Sequence, residues 1–414
     1  MRGDGLDAFP MDEATPDDVR LLHGILSSLP ERGRGDSTVT IDCRNCGTAM
    51  RFLTAFFAAR PGCRVVLDGV ERMRHRPVGQ LVDALRALGA DITCLGTPGF
   101  PPLLIRGRRL DLSRPVTILR PASTQFVSAL LLIGAQVHTD STSPYIALTR
   151  SLLRTSYIAP SYMERDWSSA AFWYEYAAIH GGSFFFPSLT LDSLQPDRVA
   201  ADLFARLGVR TTATPDGIRI HAPRPGADTE RDRPTVDACP ARTVPDGSPT
   251  DLRRISVPLR IDFSHCPDLY PALYATCARL GIPTDFTGLD SLPLKESDRL
   301  TAMHQLTTQP AQTAPTWDAG GSPANRREEA TPPSRSQTAS RSQTASRSQT
   351  APAISLECAT NLSTFDFERQ RSFDSHADHR IAMALLMADY SVDDTDCIAK
   401  SYPLFLRQWQ ALHA

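Results

Sequence analysis

The chain has 414 residues, 41% of them hydrophobic, which is enough for two ordinary cores. Lys plus Arg total 44 against 46 Asp plus Glu, so a formal net charge of -2 excludes a global footprint for nucleic acid and leaves anion binding to local clusters. No apolar run approaches the roughly 20 residues that span a bilayer, the start Met1-Arg2-Gly3-Asp4-Gly5 lacks the apolar core of a signal peptide, and nine cysteines without framework spacing suit a reduced cytosolic protein.

The first periodic segment covers 47–59, with Met50, Leu53, Phe56 and Phe57 on one helical face. Ahead of it, Cys43 and Cys46 form a C-x-x-C, but no second pair completes a zinc site. Gly47-Thr48 opens this helix. Its free N–H groups can seat a phosphate or carboxylate, against the plainer reading of N-capping by Asn45 or Thr48. Glu71-Arg72-Met73-Arg74-His75-Arg76-Pro77 sets three arginines before a helix over 78–88. Pro77 suits its first turn and puts Arg76 beside its N-terminus. Gly89 stops that helix. A strand at 90–94, a turn at Pro98-Gly99 and a strand at 103–105 follow.

Ser123-Thr124-Gln125 opens another apolar run, with more hydroxyl and amide groups than a cap needs. The grammar of helix, Leu-Gly stop and hairpin then returns. The helix is 199–207, Gly208 stops it, and strands at 209–212 and 218–220 flank Pro215-Asp216-Gly217. Two such passages argue for a repeated α+β unit. Segments 223–254 and 307–352 have no apolar pattern. The second repeats Ser-Arg-Ser-Gln-Thr-Ala at 334–339, 340–345 and 346–351. Both read as low-complexity inserts, solvated linkers rather than nucleic-acid tails.

Asp268, after Pro267 and before an apolar helix, reads by itself as an N-cap. Lys295 and Arg299 stand four apart, so a helix would point both into one cleft, where their repulsion favours an anion between them; a surface salt-bridge pattern with Glu296 is the alternative. His376-Ala377-Asp378-His379-Arg380 precedes a run from Ile381 to Met387 and could bind phosphate, hold a metal or only cap. Two His three apart with no third ligand disfavour metal. Lys400 has no meaning by itself.

Taken in order, these segments resemble the 5-enolpyruvylshikimate-3-phosphate synthase (3-phosphoshikimate 1-carboxyvinyltransferase) family, from about Asp17 to the C-terminus outside the inserts. Asn45-Cys46-Gly47-Thr48-Ala49-Met50-Arg51 looks like N-S-G-T-x-x-R, and Glu71 to Pro77 looks like E-R-M-x-x-R-P. Ser123-Thr124-Gln125 stands for S-S-Q, Lys295 to Arg299 for K-E-[ST]-D-R, Asp378 to Met383 for D-H-R-x-A-M, and Ala399 to Pro403 for A-K-[ST]-[FY]-P.

The resemblance implies an α/β fold of two domains, 1–163 and 164–414, each from three β-α-β-α-β-β units that close over the substrates. It implies transfer of the enolpyruvyl group of phosphoenolpyruvate to the 5-hydroxyl of shikimate 3-phosphate by addition and elimination, with release of phosphate. No metal or organic cofactor is expected, nor nucleic acid or membrane partners; the protein is expected to be a cytoplasmic monomer. Gly47, Arg76, Gln125, Arg299, Arg380 and Lys400 would hold phosphoenolpyruvate. Ser123, Thr124, Gln125, Asp268, Ser291 and Lys295 would hold shikimate 3-phosphate. Asp268 would act as base on the 5-hydroxyl and Glu296 as acid at the methylene carbon, with Lys295 and His379 beside them.

Departures from the pattern are specific. The family's K-S-x-x-x-R signature has no counterpart ahead of Asp17-Asp18, the catalytic Asn is Ser291, and Thr142-Ser143-Pro144-Tyr145 replaces S-[KR]-P-Y. A truncated first unit and a nearly inactive chain are therefore expected. A non-catalytic or decayed remnant is the rival reading. A UDP-N-acetylglucosamine enolpyruvyl transferase is disfavoured, because that sister family lacks E-R-M-x-x-R-P and D-H-R. Deleting residues 310–350 should shift unfolding free energy by less than about 1 kcal/mol, since nothing in the segment is patterned for burial. A denaturant titration showing a larger loss contradicts the linker reading.

Overall fold

The computed structural model describes residues 11–29, 38–154, 164–224, 258–308, 354–355 and 372–412. Apart from their edges at 223–224 and 307–308, the two expected inserts lie outside the described residues.

After α1 (Asp17–Ser27), the chain forms β1 (Val39–Asp42), α2 (Gly47–Ala58), β2 (Arg64–Asp68), the single turn α3 (Glu71–Arg74), α4 (Gly79–Ala87), β3 (Asp91–Cys94) and β4 (Leu103–Arg106). β1 and β2 are parallel, β4 is antiparallel to both β2 and β3, and the sheet order is β1-β2-β4-β3. This is one complete β-α-β-α-β-β unit. Alternation aims Val65 and Leu67 of β2 and Leu103 and Ile105 of β4 into the core. Gly89 ends α4 at φ 96°, a backbone that other residues adopt only with strain. α4 begins at Gly79 with Val78 as its N-cap, so Pro77 precedes the helix instead of sitting in its first turn.

Further along lie β5 (Val116–Thr117), α5 (Thr124–Leu132), β6 (Val137–His138), α6 (Pro144–Arg154), α7 (Trp167–His180), β7 (Gly182–Pro187), α8 (Ala200–Ala205), β8 (Arg210–Thr214) and β9 (Gly217–Ala222). The helix expected at 199–207 is shorter, because 196–199 winds as a 3-10 turn before α8. β9 pairs antiparallel with both β7 and β8. The chain closes with β10 (Leu259–Asp262), α9 (Tyr270–Leu280), β11 (Thr284–Thr287), α10 (Arg299–Thr308), β12 (Ile354–Ser355), β13 (Ser372–Phe373), α11 (His379–Met387), β14 (Ser391–Val392) and α12 (Phe405–Gln410).

One local device recurs. The pairs β1–β2, β5–β6, β10–β11 and β13–β14 are parallel, each with a helix between. In three of them an Asp at the strand's end or just after it has an Oδ1 that accepts the N–H two residues on: Asp42 from Arg44 at 2.7 Å, Asp262 from Ser264 at 2.9 Å, and Asp374 from His376 at 2.6 Å. Such a side-chain turn reverses the backbone within a few residues and launches the helix from the strand's C-terminal end. Arg44, Arg120, His376 and Ala377 take positive φ at these turns. Helix N-termini are thereby presented on one side of each sheet.

Two apolar clusters hold these layers. One runs from Ile41 to Ile146 and the other from Trp167 to Phe405. α7 is buried along most of its length and packs on α9 and α11. Within it Glu175 is fully buried, and neither carboxyl oxygen has a hydrogen-bond partner among the described residues. Burial pushes its pKa well above the ordinary carboxyl value, so it is neutral in the folded protein.

A pH-dependent penalty follows. In the unfolded chain Glu175 ionises near its ordinary value of 4.5, whereas the folded state keeps the proton, so stability is lost as pH rises above that point. Glu175→Leu should stabilise the protein by about 1–3 kcal/mol at neutral pH. Its advantage in urea unfolding should be larger at pH 8 than at pH 5. An advantage that does not change with pH would refute the neutral-carboxyl account.

Candidate active site

Charge is concentrated where α9, α10 and α11 begin. Arg299 opens α10 with its side chain only 1% exposed. Its Nε donates to Asp378 Oδ2 at 2.8 Å, its Nη1 to Asp268 Oδ1 at 2.8 Å, and its Nη2 to Glu296 Oε2 at 2.8 Å and Asp378 Oδ1 at 3.2 Å. Asp378 caps α11 by accepting from Arg380 N and also accepts from Ser297 Oγ at 3.0 Å. Lys295 Nζ donates to Asp268 at 3.0 Å, and the Arg380 guanidinium lies 3.3 Å from the other Asp268 oxygen.

These contacts set the protonation states. Burial pushes Asp268 up, but Arg380, Lys295 and Arg299 outweigh it and hold the carboxyl well below its usual range. For Glu296 burial is likewise overcome by Arg299, Arg76, His379 and Lys400. Burial pulls His379 down to about 4, which leaves a neutral imidazole at neutral pH. Its Nδ1 has no hydrogen-bond partner among the described residues.

The first half of the chain supplies a facing wall. α2 begins at Gly47, and the cap is the Cys46 thiol, which accepts from Ala49 N at 3.3 Å, in place of the expected Asn45 or Thr48. A Cβ on Gly47 would stand 2.8 Å from both Arg51 Nη1 and Arg76 Nη2, so the two guanidinium groups lie directly over the helix start. Gln125 ties α5 to α2: its Oε1 accepts from Arg51 at 2.6 Å and its Nε2 donates to Thr48 Oγ1 at 2.9 Å. Ser123 caps α5 by accepting from Gln125 N at 3.4 Å, and Thr124 is the first helical residue. Arg51 Nε and Arg76 Nε and Nη1 are buried without hydrogen-bond partners among the described residues. Burial and the neighbouring Arg76 pull Arg51 down to about 9. Two arginines with unfilled donors over a helix N-terminus form an anion seat.

The two walls meet. Arg76 Nη1 is 3.8 Å from Glu296 Oε1. Lys400 Nζ donates to Asp18 Oδ1 at 2.7 Å and to Asn45 O at 3.3 Å, so it bridges α1, the start of α2 and the C-terminal segment. Gly47, Arg76 and Gln125 thus share one wall, and Asp268, Lys295, Glu296, Arg299, His379 and Arg380 the other. Ser291 is half-buried at the head of the 3-10 turn Leu292–Leu294.

Local geometry corrects two expectations. Asp268 is not a helix cap: it lies in the 3-10 turn Pro267–Leu269 and its carboxylate faces Lys295, Arg299 and Arg380. Lys295 and Arg299 are not on one helix, since α10 starts at Arg299. The anion between them is the protein's own Asp268.

Other groups in the cleft were not singled out from sequence. Arg51 stood in a quoted motif without a role. Asp18 gains one through Lys400. Asp197, 2% exposed, accepts from Ser168 Oγ and from Tyr145 OH at 3.4 Å; burial, with the nearby Asp268 charge, raises it to about 6. The Pro-Asp pair at 196–197 repeats that at 267–268, the signal that could have found it. Among the described residues no cluster of three or more His, Cys, Asp or Glu side chains is arranged to hold a metal.

The chain is similar to known proteins. A family profile described as EPSP synthase (3-phosphoshikimate 1-carboxyvinyltransferase) matches residues 18–159. A 3-phosphoshikimate 1-carboxyvinyltransferase of Bacteroides fragilis (strain YCH46) is 36% identical over 292 residues, covering 64% of this chain and 64% of that protein. The match thus spans less than two thirds of that relative's length. One from Methanoculleus marisnigri is 30% identical over an alignment of 446 residues, covering 99% of this chain and 86% of the relative. A solved EPSP synthase from Acinetobacter baumannii superposes with a TM-score of 0.51 at 22% identity, over 90% of this chain and 78% of that one, a likeness of fold. The chain belongs to the 3-phosphoshikimate 1-carboxyvinyltransferase (EPSP synthase) family and has its two-domain α/β fold.

Proposed function

We propose that the protein transfers the enolpyruvyl group of phosphoenolpyruvate to the 5-hydroxyl of shikimate 3-phosphate, with release of phosphate. The observation that carries this reading is the unfilled pair Arg51 and Arg76 over Gly47, set against Glu296 at 3.8 Å and, beyond it, Asp268. Two substrates that both carry phosphate and carboxylate need charge-assisted donors on both walls of a cleft. Gly47, Arg76, Gln125, Arg299, Arg380 and Lys400 are assigned to phosphoenolpyruvate. Ser123, Thr124, Gln125, Asp268, Ser291 and Lys295 are assigned to shikimate 3-phosphate.

Asp268 accepts the 5-hydroxyl proton while the oxygen bonds to C2 of phosphoenolpyruvate, and Glu296 delivers a proton to C3. Loss of the C3 proton and cleavage of the C2–O bond to phosphate then complete the transfer. Without substrate Glu296 is a carboxylate, held so by Arg299 and Arg76. Anions arriving among these cations weaken their field, which raises Glu296 toward the protonated form that a general acid requires. Lys295 and neutral His379 flank the same cleft. Lys400 reaches its ligand by exchanging Asp18 for a substrate oxygen.

The chemistry assigned to these residues calls on no cofactor. No helix among the described residues is long and apolar enough to cross a membrane. We place the protein in the cytoplasm as a monomer, with its domains divided at 163/164, a division supported by the two apolar clusters on either side.

Phosphate release with both substrates tests the reading. Arg76→Ala should abolish phosphoenolpyruvate binding by calorimetry, since the seat loses a donor pair. Glu296→Gln should retain binding but lose about 100-fold or more in turnover, the usual scale of a general acid. Unchanged affinity in the first variant or unchanged turnover in the second would sink that residue's role. The decayed-remnant reading instead requires that the unaltered chain bind both ligands without turnover. The six site motifs that are present and the family match favour the active enzyme over it.

A further inference from the structure

We propose that Arg72 is a positioning residue, whose guanidinium clasps the backbone at 293–296 across the cleft and so sets Glu296 against Arg76. The proposal rests on the role given to Glu296 above.

Arg72 Nε donates to Glu296 O at 3.2 Å, and its Nη2 donates to Pro293 O at 2.7 Å and Lys295 O at 3.2 Å. All three acceptors are main-chain carbonyls from the opposite half of the chain. Pro293 sits within the 3-10 turn Leu292–Leu294, while Lys295 and Glu296 lie between that turn and the start of α10, in a stretch with neither helix nor strand to fix it. Within that stretch Lys295 N reaches only Leu292 O, at 3.3 Å. Two of the residues so held, Lys295 and Glu296, carry the side chains given roles in the proposed reaction.

The donor side is firmly mounted. Met73, next to Arg72, is 1% exposed. Val70 N donates to Arg44 O at 3.2 Å, and a Cβ on Gly69 would stand 2.4 Å from that carbonyl, so α3 is pressed against the turn that launches α2. Arg74 pairs with Asp68 at 2.7 Å. From this mount Arg72 holds the Glu296 backbone, while Arg76, four residues on, meets the Glu296 carboxylate. One short segment therefore fixes Glu296 at both ends. A guanidinium can serve three carbonyls from a planar fork, which a lysine ammonium on a flexible stem reproduces poorly.

Displacing a catalytic group by about 1 Å can cost on the order of 100-fold in rate. Arg72→Ala and Arg72→Lys, made in the full chain, test the clasp by two routes. Without ligand, hydrogen exchange in Arg72→Ala should accelerate at 69–76 and 291–298, while other segments keep their protection. In enolpyruvyl transfer, kcat should fall about 10- to 100-fold, with the KM for phosphoenolpyruvate nearly unchanged. The alkaline limb of the pH–rate profile, which reports the general acid, should move upward as Glu296 loses the Arg76 charge. Arg72→Lys should recover a part, and added methylguanidinium should restore turnover to Arg72→Ala. Unchanged exchange at 291–298 overturns the clasp. Equal losses in both variants, with an unmoved pH profile and no chemical rescue, overturn the positioning role. If the unaltered chain transfers no enolpyruvyl group, that counts against the role of Glu296, and the exchange measurement alone decides the clasp.

Discussion

The buried guanidinium of Arg299 is the constraint on which the second wall depends. It draws together three carboxylates that would otherwise repel one another: Asp268 before α9, Glu296 before α10, and Asp378 at the cap of α11. Each belongs to a different strand–helix passage, so one side chain fixes the relative position of three helix starts. Desolvating such a group is costly, and stripping one partner from a buried pair commonly costs about 3–5 kcal/mol. The arrangement closes because donors and acceptors nearly match. Three carboxylates meet Arg299, Lys295 and Arg380, and hydrogen bonds from Ser297 Oγ and Arg380 N satisfy Asp378 further.

The first wall is built the opposite way. Arg51 and Arg76 crowd each other over Gly47 with donors left open, and the nearest acidic group, Glu296, belongs to the other half. A balanced wall facing an unbalanced one gives the cleft polarity. Open guanidinium donors line one side, while on the other the carboxylates are held by the protein's own cations. The Arg51–Gln125–Thr48 chain keeps the arginine side in register by joining α2 to α5.

Sequence and structure agree best where chemistry is carried by a helix start. The strand-end turn and the first helical turn are contiguous, so the helix starts at Gly47-Thr48, Ser123-Thr124-Gln125 and Asp378-His379-Arg380 could be read from neighbours in the chain. Two helix–stop–strand passages were legible for the same reason, with Gly89 and Gly208 as their stops. What escaped depends on distant residues. Asp268 looks like a cap until Lys295, Arg299 and Arg380 arrive from elsewhere. Glu175 sits in an ordinary helical pattern, and only the packing of α9 and α11 shows that it is sealed from water. Arg72 and Asp18 gain their roles from contacts more than two hundred residues away in sequence, which no local pattern encodes.

The repeated strand-end turn also governs where the chain tolerates growth. At Asp42, Asp262 and Asp374 the side chain closes the reversal onto the N–H two residues later, so an added residue there would swing the following helix start out of the cleft. Both low-complexity segments enter at other junctions: one after the second strand of a hairpin, β9, and the other beyond the C-terminal end of α10. In this chain the added length thus falls at junctions other than the strand-end turns that set the helix starts of the cleft. A chain of this architecture can lengthen by tandem duplication, as the three Ser-Arg-Ser-Gln-Thr-Ala copies record, without changing the spacing of its cleft residues on either side.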